Sequence, residues 1–253
     1  MGFNVWTFCQ LTANTKLHPK AQVNLDSHLT YAFTSGTTGI PKGVVQTHRM
    51  AIAQLLAMKG HFDYNQNDIH MSFLPVAHTF ERFVSWHVIN TGGNIRYAKF
   101  PVTEIVKDLM TIKPTVLPLV PRLLNKFYPV CKGLYEKEGS YAKVKGMFGG
   151  RLRLFVTGSA PVAPTILSFF REALSCDVRE GYGQTETTAA SFVTLEGDSN
   201  YGHVGGPNSA TEFKLVDVPE MNYLSTDNPP RGEVCTRGPS VFSVYFKDPK
   251  NTK

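Results

Sequence analysis

One segment of the chain, residues 34–43, concentrates groups that can contact a polyphosphate. Its sequence, TSGTTGIPKG, contains four hydroxyl side chains, three glycines and one lysine. Glycines allow a tight turn that exposes backbone N–H groups, hydroxyls add further donors, and Lys42 adds a cation. A Walker A loop is excluded, because there Ser or Thr directly follows Gly-Lys, whereas here Gly43 follows Lys42. The composition therefore predicts a phosphate-binding loop of another kind rather than an ordinary polar turn.

Three further places carry groups suited to a nucleotide or to catalysis. In GYGQTE, residues 181–186, Tyr182 offers a ring for stacking and Glu186 a hard oxygen for Mg²⁺; a solvent-exposed loop is the alternative. Residues 158–160, GSA, follow a predicted strand and read equally well as a simple strand-to-helix turn. His78 has the chemistry of a general acid or base, but the sequence pairs no carboxylate with it. Its neighbours Glu81 and Arg82 are as readily structural as functional.

Length, charge and composition limit the class of protein. The chain has 253 residues, 42% apolar and 18% charged, enough to bury a substantial core. Its net charge of +6 comes from 26 basic and 20 acidic residues, and no three basic residues are adjacent, which argues against a basic nucleic-acid-binding tail. Residues 1–10 lack the features of a signal peptide, and no apolar run reaches the length of a membrane span. We expect a soluble segment.

Strand-like and helix-like segments alternate through most of the chain. Strands are predicted at 29–33, 69–74, 94–98, 115–120 and 151–156, and helices begin near residues 47, 78, 103, 122 and 165. This order predicts an α/β fold with layered, mostly parallel sheets covered by helices, whose ligands bind beyond the carboxyl ends of the strands. The opening unit is read in the same order of strand, loop and helix.

The helical period disappears after about residue 197. Two strands, at 212–216 and 232–237, are predicted there with a polar turn between them. The sequence thus predicts an α/β core at residues 1–196 and the start of a small β subdomain at residues 197–253.

Several motifs together resemble a known superfamily. YAFTSGTTGIPKG at residues 31–43 resembles the phosphate-loop signature of the adenylate-forming enzymes, which include acyl-CoA synthetases, luciferases and peptide-synthetase adenylation domains. Four more segments resemble the long-chain fatty acyl-CoA synthetases in particular: LPVAHTFER at 74–82, VTGSAP at 156–161, EGYGQTE at 180–186 and LVDVPEMNY at 215–223. The resemblance implies the large N-terminal domain of such an enzyme, in incomplete form.

The resemblance also implies a reaction and its participants. A long-chain fatty acid is activated by ATP to an acyl-adenylate and then transferred to coenzyme A, with Mg²⁺ as the metal. The implied partners are the fatty acid, ATP and coenzyme A, without nucleic acid. The family associates with the cytoplasmic face of endoplasmic reticulum, mitochondrial or peroxisomal membranes, and any peripheral membrane contact is expected from parts outside this chain.

Roles for individual residues follow from the same resemblance. Tyr182 is expected to pack on adenine, Thr185 to contact the α-phosphate, and Glu186 and Thr34 to hold Mg²⁺; Thr34, Lys42 and Glu186 are the expected catalytic residues. His78 and Thr79 are expected at the wall of the acyl site. The residues expected to bind ATP are Thr34, Ser35, Gly36, Thr37, Thr38, Gly39, Lys42, Gly158, Ser159, Ala160, Gly181, Tyr182 and Thr185.

Departures from the family pattern leave an alternative function open. The family's ribose-binding Asp, its hinge and its mobile C-terminal domain with a catalytic lysine are not found in this sequence. Val244 also stands where the family usually has Gly before Tyr, so a different turn is expected there. The alternative is a catalytically incomplete chain that binds only nucleotide or a partner, and a different adenylate-forming activity is a third interpretation.

Overall fold

The computed structural model describes residues 20–34 and 41–252. The predicted phosphate-loop residues Ser35, Gly36, Thr37, Thr38 and Gly39 lie outside the described residues. The strands are β1 His28–Thr34, β2 Lys42–Thr47, β3 Ile69–Ser72, β4 Asn94–Tyr97, β5 Val116–Pro118, β6 Leu154–Gly158, β7 Asp177–Tyr182, β8 Phe192–Val193, β9 Gly206–Pro207, β10 Glu212–Val216 and β11 Glu233–Arg237. The α-helices are α1 His48–Met58, α2 Thr79–Asn90, α3 Ile105–Ile112, α4 Pro121–Glu138, α5 Ala142–Met147 and α6 Pro164–Leu174.

The largest sheet has seven strands in the order β4-β3-β5-β6-β7-β8-β9. Its first five strands run parallel, and β8 and β9 add antiparallel pairs at the other edge. Helices connect the parallel strands, as the alternating sequence pattern predicts. The predicted α/β class with a mostly parallel sheet is confirmed.

Buried side chains fill both faces of this sheet. Leu117 and Phe155 belong to one apolar cluster, whereas their strand neighbours Val116 and Leu154 belong to another. Successive residues of a strand point to opposite faces, so this division means that the sheet is covered on both sides. Strands β5 and β6 are buried at every position, which makes their carboxyl ends a rigid edge.

The opening of the described chain differs from the prediction. Residues 42–47 were expected to lie in a loop leading to a helix, but they form β2, which pairs antiparallel with β1. This hairpin is a separate two-stranded sheet, so the first unit does not repeat the parallel pattern. The polar loop gives no sign of this strand, whose buried side chains include Val44 and Val45.

Strand β7 and helix α5 are also not predicted by the sequence patterns. In β7 the sequence DVREGY contains three charged residues, so no apolar run marks it, although Arg179 and Glu180 are buried.

The predicted strands near the C-terminal end are present as β10 and β11, which form a two-stranded antiparallel sheet. Beyond them, Tyr245 forms an isolated antiparallel bridge with Val44, so Ser243–Phe246 lies beside β2. Val244 is not among the residues with positive φ, and the turn residue of this segment with positive φ is Lys247.

Among residues 20–34 and 41–252, no helix combines the length and apolar character that crossing a bilayer requires.

Candidate functional site

A cavity of about 190 Å³ lies at the carboxyl ends of β6 and β7. One side is formed by the ends of these strands and the following turn, with Gly158, Ser159, Gly181, Tyr182 and Thr185. This is the edge at which parallel sheets bind ligands, because strand ends and their loops converge there. Tertiary structure thus brings together residues from two motifs that are more than 20 positions apart.

The lining of the cavity also includes apolar side chains, which are Phe62, Phe80, Phe83 and Val193. His78 and Thr79 line it at the start of α2. The predicted acyl-wall residues therefore face the same cavity as the predicted adenine-binding residues. Ala160, by contrast, is exposed and is not among the lining residues.

Close backbone approach explains the glycines in this edge. A Cβ at Gly158 would lie 2.7 Å from the carbonyl oxygen of Gly181, and a Cβ at Gly183 would lie 1.5 Å from that of Ala189. Neither distance is compatible with a side chain, so glycine is required for the observed packing. Ser159 has a φ of 74° and continues the sharp turn beyond β6.

The turn Thr185–Thr187 is held by hydrogen bonds to the hairpin and within itself. The buried Gln46 of β2 donates from Nε2 to the carbonyl oxygen of Thr185 at 3.1 Å. Gln184 accepts from the backbone of Thr187 with its side chain, and its own N–H donates to Thr187 Oγ1 at 3.0 Å. The hairpin and the cavity edge are therefore connected by the same turn that carries Glu186.

Glu186 and Lys42 both contact Tyr245. The Tyr245 hydroxyl donates to Glu186 Oε1 at 2.8 Å, and Lys42 Nζ lies 5.4 Å from the centroid of the Tyr245 ring. Thr34 pairs with Lys42 across the hairpin, at the two ends of the predicted phosphate loop. Three of the predicted catalytic residues thus lie on neighbouring elements. Tyr245 is a neighbour of the site that belongs to none of the motifs, although Val244 beside it departs from the family pattern.

Two ionisable groups near the cavity edge have shifted pKa values. Burial, together with the hydrogen bond to Glu186, raises the pKa of Tyr245 to about 12, so its hydroxyl stays protonated at neutral pH. Burial also raises the pKa of the Glu180 carboxyl, although a hydrogen bond from the Val162 N–H works in the opposite direction. Glu180 therefore resists ionisation more than an exposed glutamate does.

His78 has a structural partner of its own. Its Nδ1 accepts a hydrogen bond from the Phe80 N–H at 3.2 Å, so His78 caps the N-terminus of α2. Three residues after His78, the buried Glu81 is hydrogen-bonded to the buried His70 of β3, with a 2.7 Å distance between Oε1 and Nε2. Glu81 therefore anchors the helix to the sheet, while Arg82 donates to Gln46 and to the Ala77 carbonyl.

The donor atoms near the hairpin are suited to a hard cation shared with a phosphate. Within the part of the chain that the structure describes, no group of three or more His, Cys, Asp or Glu side chains forms a metal cage. The oxygen donors on hand are the Glu186 carboxylate and the Thr34 hydroxyl, whose Oγ1 is buried without a hydrogen-bond partner among the described residues. Mg²⁺ commonly binds in this way, through one or two protein oxygens with substrate phosphates completing the shell.

A family model described as AMP-binding enzyme matches residues 5–246 of the chain. The chain belongs to the AMP-binding enzyme family. Long chain acyl-CoA synthetase 7, peroxisomal, from Arabidopsis thaliana is 37% identical to this chain over 94% of the chain and 39% of the relative. Long-chain-fatty-acid–CoA ligase 1 from Homo sapiens is 40% identical over 87% of the chain and 36% of the relative.

Solved structures agree with this assignment. The adenylation domain of a carboxylate reductase from Mycobacterium chelonae is 28% identical, with a TM-score of 0.77 over 92% of this chain and 37% of that one. ATP-bound MatB from Rhodopseudomonas palustris is 25% identical, with a TM-score of 0.73 over 96% and 46%. The resemblance to adenylate-forming enzymes is confirmed. The chain spans less than two fifths of the length of the two long-chain relatives.

Proposed function

We propose that this chain is the ATP-binding and acyl-binding core of a long-chain fatty acid CoA ligase that forms AMP. The observation that carries the proposal is the cavity at the strand ends, whose lining combines Tyr182 and Thr185 with the apolar side chains of Phe80 and Phe83. A nucleotide and a fatty carboxylate need such a shared chamber to react. The similarity to two long-chain ligases supports this choice of acyl substrate.

The proposed reaction has two steps. The fatty carboxylate attacks the α-phosphorus of ATP, a P–O bond forms, and pyrophosphate leaves with the electrons of the broken bond. The coenzyme A thiol, losing its proton, then attacks the acyl carbonyl and displaces AMP. No protein nucleophile is required, so the contribution of the protein is positioning and stabilisation of negative charge.

We assign the polar residues to the nucleotide. Tyr182 stacks on adenine, backbone groups of Gly158, Ser159 and Gly181 contact the base, and Thr185 contacts the α-phosphate. Lys42 and the predicted loop residues Ser35, Gly36, Thr37, Thr38 and Gly39 hold the outer phosphates. We assign Glu186 and Thr34 as the Mg²⁺ ligands, and the metal when bound neutralises charge on the phosphates.

We assign the apolar side chains of the lining to the fatty acid, with His78 and Thr79 beside the carboxylate. Because His78 Nδ1 already accepts the Phe80 N–H, a steric role suits this residue better than proton transfer. Within the chain we propose residues 1–196 as the nucleotide-binding and acyl-binding core and residues 197–253 as the start of a small β subdomain. The proposed site of action is the cytoplasmic face of an endoplasmic reticulum, mitochondrial or peroxisomal membrane, with peripheral contact made outside this chain.

Calorimetry with Mg-ATP tests the phosphate assignment. Lys42→Ala removes a charge-assisted contact and should weaken binding by about 1.5 to 3 kcal/mol, roughly 10- to 150-fold. Lys126→Ala removes an exposed lysine of α4 and should leave the affinity unchanged. Equal affinity of a folded Lys42→Ala variant and the parent would remove Lys42 from the site.

The second candidate is the alternative named in the sequence analysis, a chain that binds nucleotide without ligase activity. Purified chain is incubated with palmitate, Mg-ATP and coenzyme A while pyrophosphate and palmitoyl-CoA are followed. Formation of both products supports the ligase. Pyrophosphate alone would show that only the adenylation half-reaction occurs, and nucleotide binding without either product would favour the second candidate.

A further inference from the structure

Tyr245 lies between two side chains that the proposed function uses. Its hydroxyl donates to Glu186 Oε1 at 2.8 Å, and its ring lies beneath the Lys42 ammonium, 5.4 Å from Nζ to the centroid. Glu186 belongs to the turn after β7 and Lys42 to the start of β2. One side chain therefore contacts both the proposed metal ligand and the proposed phosphate ligand.

The backbone of Tyr245 is fixed to the strand that carries Lys42. The Val45 N–H donates to the Val244 carbonyl oxygen at 3.2 Å, and the Phe246 N–H donates to the Gly43 carbonyl oxygen at 2.6 Å. These bonds flank the bridge of Tyr245 with β2. Residues 244–246 therefore pair with β2 along its free edge. This pairing fixes the position of the Tyr245 ring relative to Lys42.

A second set of contacts fixes the same segment to Glu186. The Phe242 N–H donates to the backbone carbonyl oxygen of Glu186 at 2.7 Å, and the Phe242 ring packs on the Tyr245 ring with centroids 4.6 Å apart. The Tyr245 N–H donates to Thr252 Oγ1 at 3.0 Å. Both the main chain and the side chain of Glu186 are therefore held by residues 242–245.

The chemistry of the two contacts suits a positioning role. A tyrosine hydroxyl is protonated at neutral pH, so Tyr245 is a constant donor to the Glu186 carboxylate. This bond occupies Oε1, and the second carboxylate oxygen receives no hydrogen bond from the described residues. The face of an aromatic ring attracts a cation, which restricts the Lys42 ammonium without neutralising it.

We propose that Tyr245 is a positioning residue that orients the Glu186 carboxylate for Mg²⁺ and, through its ring, the Lys42 ammonium for phosphate. The inference rests on the proposed function, in which Glu186 and Lys42 have these roles. It goes further by giving the segment after β11 a part in the nucleotide site. Hydrogen-bond partners of metal-binding carboxylates fix ligand orientation, and their loss commonly costs tenfold or more in metal affinity.

A calorimetric titration of Mg²⁺ at fixed ATP concentration tests the role of the Tyr245 hydroxyl. Tyr245→Phe keeps the ring and removes only the donor, so half-maximal binding should require about tenfold more Mg²⁺. Affinity at saturating Mg²⁺ should stay within twofold of the parent. Tyr128→Phe is the control, because it removes the hydroxyl of a partly buried tyrosine of α4 outside the cavity. A Tyr245→Phe curve that matches this control would overturn the inference.

Tyr245→Leu tests the ring. It should show the same Mg²⁺ shift and, in addition, a roughly two- to fivefold weaker affinity at saturating Mg²⁺, because the contact with Lys42 is also lost. Thermal melting identifies a variant that fails to fold, and in that case Tyr245→Phe still decides the matter. Unchanged affinity of folded Tyr245→Leu at saturating Mg²⁺ would reject the role toward Lys42.

A double-mutant cycle shows whether Tyr245 acts through Glu186. Glu186→Gln alone should shift the Mg²⁺ titration strongly, and adding Tyr245→Phe should then change it by less than twofold. Shifts that multiply independently would overturn the inference. If Glu186→Gln alone has no effect, the proposed metal role of Glu186 fails instead, so the two failures are distinguishable.

Discussion

The two sides of the candidate site are built differently. The edge formed by β6 and β7 belongs to a buried seven-stranded sheet, whereas Lys42 and Thr34 belong to a two-stranded hairpin. Strand β6 is buried at every position, whereas β1 alternates and exposes large apolar side chains such as Phe33. The hairpin is connected to the site by a few polar contacts, among them those of Gln46 and Tyr245.

This difference separates stability from binding. A change in the central sheet removes packing that many elements share and should be felt by the whole fold. A change in the hairpin breaks one or two hydrogen bonds near the site, so it should alter nucleotide affinity more than the free energy of unfolding. Four comparisons, each pairing a variant with its control, test how stability and binding depend on buried packing and on polar contacts.

The largest effect is expected from Phe155→Ala. Phe155 is 0% exposed in β6, and truncation of a buried phenylalanine commonly lowers the free energy of unfolding by about 3 to 5 kcal/mol. Phe33→Ala, at a position 64% exposed in β1, should change it by less than about 0.5 kcal/mol. Urea melts of both variants measure the contrast. Equal losses would show that the hairpin contributes to the core as much as the sheet does.

The second contrast concerns glycines. At Gly183 an added Cβ would lie 1.5 Å from the Ala189 carbonyl oxygen, so Gly183→Ala forces the cavity edge apart and should cost roughly 1 to 3 kcal/mol of unfolding free energy. Gly133→Ala lies in α4 with nothing within 4 Å, and alanine should stabilise the helix by about 0.5 to 1 kcal/mol. Opposite shifts in melting temperature are expected, and a neutral Gly183→Ala would contradict the observed packing.

The third contrast depends on pH. Burial by itself would raise the pKa of Asp68, but hydrogen bonds from Arg153 and Thr115 outweigh it and place the pKa below 3.8, its ordinary value. A lowered native pKa stabilises the fold above pH 3.8, and the stabilisation is lost as pH falls through the native value. Asp68→Asn should therefore cost about 1 to 3 kcal/mol at pH 7, with the difference closing below pH 3.8.

The control for this pH test is Asp26→Asn. Asp26 precedes the hairpin and pairs with Arg49 in full exposure, with 2.8 Å between Oδ1 and Nε. Exposed pairs contribute little to stability, so the unfolding curve should match the parent at every pH. Urea melts between pH 7 and pH 3 give both results. A pH-independent loss for Asp68→Asn would show that the carboxylate charge is not what stabilises this network.

The smallest effect is expected from Gln46→Met. The substitution conserves volume and removes the donor to the Thr185 carbonyl oxygen, so Mg-ATP should bind about fivefold more weakly, or about 1 kcal/mol. Gln66→Met, at an exposed position away from the cavity, is the control. Calorimetry measures both affinities. If Gln46→Met lowers stability but leaves the Mg-ATP affinity unchanged, this hydrogen bond stabilises the fold and does not contribute to binding.

Sequence patterns determined the overall class and most elements of the molecule. In the described part of the chain, helical spacing predicted every α-helix except α5, and the parallel order followed from the alternation of helices with strands such as β3 and β5. Residue chemistry also selected Tyr182 and Glu186, and the family resemblance added Thr185. The glycines beside them can be recognised in the sequence because glycine is required where backbones approach closely. The family assignment made from these motifs was confirmed by the comparisons.

Other features depended on tertiary structure. Strand β7 contains buried charged residues, so no local apolar pattern marks it. The buried Arg179 is stabilised by tertiary contacts, because it donates to the Thr194 carbonyl oxygen and to the Asp177 carboxylate. The same holds for Tyr245, which is 59 residues from Glu186 along the chain and contacts it only because the segment after β11 pairs with β2. Residue spacing along the sequence contains information on local helices and strands. The partners of Arg179 and Tyr245 depend instead on which distant strands pair in the folded chain.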